Sequence, residues 1–182
     1  DLIVVDEAHN LDDKVRSATT KRINQGMLLG LIKSATNEVK AADRQNIYGD
    51  VEDAKKSISV FFDRLKAQMQ EQIDLSRQDM RYADRFFFDG GEDSIALLKA
   101  MIESIKSVAL SIQIYTSFDY GSRTTAASDE LDSLSESLAE MIEQIDSNLL
   151  WIERKGKNAE LVYCPKNTSQ ITNRLYFSGK ER

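Results

Sequence analysis

The apolar positions of this chain follow two patterns that occupy different parts of it. Between residues 12 and 147 they recur at steps of three and four, the spacing that gathers side chains on one face of an α-helix. Val51, Ala54, Ile58, Phe61, Leu65 and Met69 form one stripe, and Ile95, Leu98, Ile102, Ile105, Ala109 and Ile112 a second. Leu131, Leu134, Leu138, Met141 or Ile142, and Ile145 form a third. A fourth starts from Ile23 and passes through Met27, Leu28, Leu31, Ala35 and Val39, interrupted by Gly26 and Gly30. Asp12 and Asp13 are placed to cap a shorter helix running through Val15 and Ala18. Polar or glycine-bearing stretches at 46–50, 89–92 and 121–128 separate these helices.

Outside that span the apolar residues are consecutive. Leu2, Ile3, Val4 and Val5 form a run too short for a helix and suited to a strand covered on both faces in a parallel sheet. Leu149 to Ile152 and Leu161 to Cys164 flank Lys155-Gly156-Lys157-Asn158, a turn signal, and together predict a β-hairpin. Pro165 ends it, and Asn167 or Thr168 can cap a last short helix through Ile171 and Leu175. The expected fold is therefore mainly α: a helical bundle with a small β element of one N-terminal strand and a C-terminal hairpin. The chain divides at 1–22, 23–147 and 148–182. The strand at residues 2–5 has no comparable partner until residues 161–164, so most of the parallel sheet it implies is missing. The chain reads as a segment of a larger enzyme.

Composition narrows the picture. Of 182 residues, 41% are hydrophobic and 30% charged, enough apolar matter for a packed core. A single Pro agrees with long uninterrupted helices. One Cys excludes a disulfide framework, and with one His it excludes a self-contained Cys/His metal site. No apolar run approaches the ~18 residues of a membrane span, and no leader pattern opens the chain. A reduced, cytoplasmic setting without membrane partners is expected.

The net charge of −6 argues against a protein whose whole surface grips nucleic acid. Its placement qualifies that conclusion. Residues 119–147 carry eight acids against Arg123, a net of −7, whereas residues 148–182 carry seven bases against three acids, a net of +4. A phosphate-binding surface would involve the hairpin and last segment rather than the acidic helix.

The motif that carries chemistry is Asp6-Glu7-Ala8-His9. A buried strand ending in two adjacent acids is the form of a Walker B element, which delivers carboxylates to the open edge of a parallel sheet. One acid holds Mg²⁺, usually through water, and the next polarises the water that attacks a γ-phosphate. The plainer reading is a strand-to-helix turn whose acids cap the helix.

With its flanks, residues 2–11, Leu-Ile-Val-Val-Asp-Glu-Ala-His-Asn-Leu, this segment resembles the DEAH box of the DinG/XPD family of superfamily 2 DNA helicases. Leu161-Val162-Tyr163-Cys164-Pro165, continuing to Leu175-Tyr176-Phe177, resembles the stretch just before that family's Ser-Ala-Thr motif. The resemblance covers about thirty residues at the two ends in motif and the whole chain in arrangement. It implies that residues 23–147 are the inserted helical arch, flanked by pieces of an α/β motor domain. It further implies that Asp6 is the Mg²⁺-associated acid, Glu7 the catalytic base and His9 the residue coupling nucleotide state to its neighbours. The parent would use ATP and Mg²⁺ to move 5′ to 3′ on single-stranded DNA, working with the remaining motor domains. The family's iron–sulfur cluster, where present, needs four Cys upstream, and Cys164 alone cannot hold one; as a strand residue it is expected to be a small buried group. Lacking the Gly-Lys-Thr loop and the Ser-Ala-Thr motif, the segment alone is not expected to hydrolyse ATP or unwind DNA. A rival from another class is a stand-alone helical interaction module whose DEAH match is accidental.

Four further residues are candidates for DNA contact. Arg85 and Phe87, within Arg85-Phe86-Phe87-Phe88, could offer a stacking surface for bases, although consecutive aromatics also anchor loops to cores. Lys155 and Lys157 supply charge on the hairpin. Trp151 is expected to pack.

Overall fold

The computed structural model describes residues 11–76, 83–116 and 126–167. Within them the chain is mainly helical, with one small antiparallel sheet. Helix α1 spans Leu11–Thr19 and strand β1 Lys21–Asn24; helix α2 is Gln25–Glu38. After a 3₁₀ turn at Arg44–Ile47 comes α3, Tyr48–Leu75, and then strand β2, Arg85–Phe87. Helices α4, Glu92–Thr116, and α5, Ala126–Glu143, precede the hairpin of β3, Asn148–Lys155, and β4, Asn158–Pro165. No described helix is long and apolar enough to cross a membrane.

On α3, α4 and α5 the predicted stripes are the buried faces; on α2 the buried residues are Leu28, Ile32 and Ala35, while Met27, expected in that stripe, is exposed. Val51, Ala54, Ile58, Phe61, Leu65 and Met69 on α3 meet Leu98, Ile102, Ile105, Ala109 and Ile112 on α4, all in one core cluster. Packing runs α3 on α4, α4 on α5, α5 on α2 and α2 on α3, which closes four helices around that cluster. Small polar groups stitch the α3–α4 seam: Ser57 meets Ser104, and Asp50 accepts hydrogen bonds from Ser107 and Ser111. At the far end of the bundle, Glu38 from the end of α2 accepts the Ala127 backbone N–H at 3.3 Å. A distant carboxylate thus caps the start of α5.

The sheet has the order β1-β4-β3-β2, every pair antiparallel. The hairpin forms as expected. Gly156, at φ +62°, takes the first of its two loop positions, where a left-handed backbone matches the twist of the flanking strands. Two strands extend it beyond the sequence expectation. Ile23 belongs to β1, opposite Leu161, and α2 starts two residues later. Asn24 makes that division: its side chain accepts the Met27 N–H as the N-cap of α2. The second addition is β2, which pairs Phe86 with Ile152. The sheet therefore draws strands from both sides of residue 148. Asp12 and Asp13 lie inside the first turn of α1 rather than ahead of it. The expected strand at residues 2–5 and the short helix after Pro165 lie outside the described residues.

One face of the sheet closes the bundle. Ile23, Phe86, Phe88, Ile152, Ala159, Leu161 and Tyr163 all belong to the core cluster. Opposite parity puts Val162 and Cys164 on the other face, where they are buried outside that cluster, as is Val15 of α1. Since α1 packs on β4, it covers that strand, whereas Phe87 of β2 and Leu149 of β3 on the same face are exposed.

Candidate functional site

The open outer face is built by strand parity. Along β3, Leu149, Trp151, Glu153 and Lys155 point the same way, opposite to Leu150, Ile152 and Arg154. Register pairs Arg85 with Glu153 and Phe87 with Trp151, so those two β2 side chains share the face. On the far side Glu160 of β4 stands opposite Glu153. Phe87 is 72% exposed and Leu149 43%, large apolar groups left in water.

Glu153 organises the cluster. It is nearly buried, and its carboxylate accepts the Trp151 indole N–H at 2.9 Å. Arg85 Nε lies 3.3 Å from one carboxylate oxygen and Arg22 Nε, from β1, 3.5 Å from the other. Burial would push this carboxyl up; the indole hydrogen bond and the Arg22 and Arg85 guanidiniums outweigh it and hold it below its usual value. The Arg85 guanidinium also lies over the Trp151 ring, 5.8 Å from its centroid. Trp151 is thus held at its nitrogen by an acid and on one face by a cation.

The edge strand carrying Phe87 is fastened by two glutamines one helical turn apart on α3. The Phe87 N–H donates to Gln72 Oε1 at 2.9 Å, and Gln72 Nε2 donates to the Phe87 carbonyl at 2.8 Å. Gln68, buried, repeats the pattern on Asp89, with both bonds at 3.2 Å, and also donates to Ser94 Oγ at 2.8 Å. Four helical residues rise about 6 Å and two strand residues about 6.7 Å, so the two side chains match alternate strand positions. They act as a substitute neighbouring strand and satisfy an edge that would otherwise be open.

Beside the hairpin turn a shallow cleft of about 370 Å³ is lined by Asn24, Gln25, Gly26, Leu29, Lys155, Asn158 and Glu160. Glu160 Oε1 accepts from Asn24 Nδ2 at 3.2 Å, while its Oε2 is buried without a partner among the described residues. Among the described residues no three His, Cys, Asp or Glu side chains converge as a metal site.

Of the residues singled out from sequence, Arg85 and Phe87 come together on one face, next to Trp151. Lys155 continues that face to the cleft, and Lys157 is exposed in the turn. The run of three phenylalanines divides: Phe86 and Phe88 are buried and Phe87 is not, so both the anchoring and the surface reading describe part of it. Cys164 is a small buried group, as expected of a strand residue. Asp6, Glu7 and His9 lie outside the described residues. Sequence reasoning missed Arg22, Glu153 and the glutamine pair. The parity of residues 149, 151, 153 and 155 was available as a signal for Glu153, whereas Arg22 and the glutamines arrive through tertiary pairing. The chain matches no family model, no curated protein and no solved structure.

Proposed function

We propose that this chain is the segment of a DinG/XPD-type ATP-dependent DNA helicase that runs from the DEAH box, through the inserted helical arch, to just before the Ser-Ala-Thr motif. One observation carries the reading: the apolar run of residues 2–5 ends directly in Asp6-Glu7-Ala8-His9. An apolar β-branched run, two adjacent acids and a following His-Asn occur in the sequence order expected of a Walker B element. A four-helix body enclosed between that motif and a returning hairpin is compatible with an arch inserted into a motor domain.

In this reading Asp6 contributes the hard carboxylate oxygens that Mg²⁺ takes, and the bound Mg²⁺ would neutralise charge on the phosphates of ATP. Glu7 orients the attacking water and accepts its proton, and His9 transmits the state of the site to adjoining elements. The helical body stands over single-stranded DNA as a clamp, gate or docking surface, and the remaining motor domains complete the ATPase. The segment alone is inactive.

The test is made in the complete parent protein. Glu7→Gln keeps the shape of the side chain and removes its basicity. ATP turnover is expected to fall by at least ~100-fold, the scale of a lost general base, while binding of a fluorescent ATP analogue persists. Turnover retained within a few-fold overturns the assignment of Glu7, and with it the reading.

A further inference from the structure

We infer that the outer face of β2 and β3 is a short platform for single-stranded DNA, with Phe87 as the ring on which a base stacks and Trp151 as a braced second ring. The inference rests on the helicase reading and deepens it, by assigning the DNA contact to a surface and a set of residues. Three observations converge. Phe87 projects from a strand whose backbone is tied to α3 by Gln72, so the ring is exposed on a fixed base. Trp151 beside it is locked by Glu153 and covered on one face by Arg85, an aromatic–guanidinium pair of the kind that receives unstacked bases.

The third observation is charge. Arg22, Arg85, Lys155 and Lys157 lie on or beside this face against Glu153 and Glu160, a net of +2 on a chain of net −6. Glu153 is already matched by two guanidiniums, and neither Lys155 nor Lys157 is held in an ion pair among the described residues. Glu160 and α1 occupy the β4 side, which confines a phosphate backbone to the β2–β3 strip. From Leu149 to Lys155 that strip extends about 20 Å. A protruding ring with flanking cations favours a single strand over a duplex, whose bases are stacked on one another and not available.

The chain has one tryptophan, and it is on this face, so its emission reports occupancy directly. The 182-residue chain is titrated with end-labelled oligothymidylate of ~10 nucleotides, within the range seated by compact single-strand-binding folds. Anisotropy and Trp151 emission are followed together. Saturable quenching at the anisotropy midpoint is expected. Phe87→Ala, an exposed change whose folding is checked by circular dichroism, should weaken binding about tenfold, the scale of one lost stacking contact. Lys155→Gln with Lys157→Gln should lower the salt dependence by up to ~1.4 in log–log slope, two phosphates on a single strand.

Four outcomes would overturn the platform: binding by anisotropy with Trp151 emission unmoved, Phe87→Ala within twofold of wild type, duplex DNA bound as tightly, or oligouridylate bound tenfold tighter. Trp151 shielded from acrylamide in the parent protein, with DNA having no effect on that shielding, would mark the face as a protein contact and overturn it too. Loss of the platform while Glu7→Gln still silences ATP turnover removes this inference and leaves the helicase reading standing. Loss of the Glu7 effect with the platform intact removes the helicase reading and leaves a single-strand-binding module.

Discussion

The two faces of the four-stranded sheet are made from alternate residues of the same strands, yet they are held by different physics. The inner face is a continuation of the helical core. Phe86, Ile152, Leu161 and Ile23 lie in a row across all four strands, each at most 2% exposed. Its stability comes from apolar area removed from water and from close packing. The adjacent rows on the outer face read Arg85, Glu153, Glu160, Asn24 and Phe87, Trp151, Val162, Arg22. There the contacts are a carboxylate shared by two guanidiniums and an indole, with the Phe87 ring left in solvent. A fold that needed only to close its bundle would cover or avoid that ring. The inner face accounts for why the sheet exists, and the outer face is where it has surface to spare for a partner.

The same change made one residue apart separates the two faces most strongly. Phe86→Ala opens a cavity in the core and is expected to cost about 3 to 5 kcal/mol. Phe87→Ala removes an exposed ring whose strand is held through its backbone, and is expected to stay within ~0.5 kcal/mol of wild type. Denaturant unfolding of the two variants measures the gap directly. Equal losses would mean that Phe87 is packed and that the two faces do not differ as described.

A smaller effect is expected on the outer face itself. Replacing Glu153 with Gln removes the charge that Arg22 and Arg85 share, and since both arginines are well exposed the cost at neutral pH should be only about 1 kcal/mol. The carboxyl is held below its usual value near 4.5 in the folded chain. Its contribution is therefore fully present above that value and is lost as pH falls through the lower folded one. Melting curves of wild type and Glu153→Gln should differ by a constant amount above about pH 5 and converge in more acidic solution. Curves that stay parallel into acid would remove the arginine clamp from the account of this face.

How legible these features are in the sequence depends on whether their cause is local. The helical stripes on α3, α4 and α5 can be read directly, because each helix buries one face and the period of burial is written in consecutive residues. The hairpin is equally plain, since its turn residues and its apolar runs are adjacent. Ile23 is not, because a four-residue strand is too short to establish a period and Ile23 also falls in helical step with Met27. Only its pairing with Leu161 decides the matter. Three successive phenylalanines hide their own alternation, which becomes visible when β3 fixes the parity. The Asp6-Glu7 motif is legible as a string of letters and as a chemical type. The outer face was legible only in part: Arg85, Phe87 and Lys155 announce themselves by residue type, whereas Glu153 gains its meaning from Arg22, which β1 brings across β4.

The smallest expected effect concerns a polar group within the otherwise apolar inner face. Tyr163 is its exception, a phenol 5% exposed within the core cluster. Its hydroxyl lies near Ser137 but makes no hydrogen bond among the described residues, and burial raises its pKa above the ordinary value. An unpaired buried hydroxyl costs desolvation without return. Tyr163→Phe keeps the ring and removes the liability, so stability at neutral pH should be unchanged or higher by up to about 1 kcal/mol. The folded chain favours the protonated phenol, so wild type loses stability in strongly alkaline solution as unfolding releases that proton, and the variant does not. The advantage of Phe should therefore widen above about pH 10. A loss of 1 kcal/mol or more on Tyr163→Phe would show that the hydroxyl has a partner, and that polar contacts help hold the inner face as they do the outer.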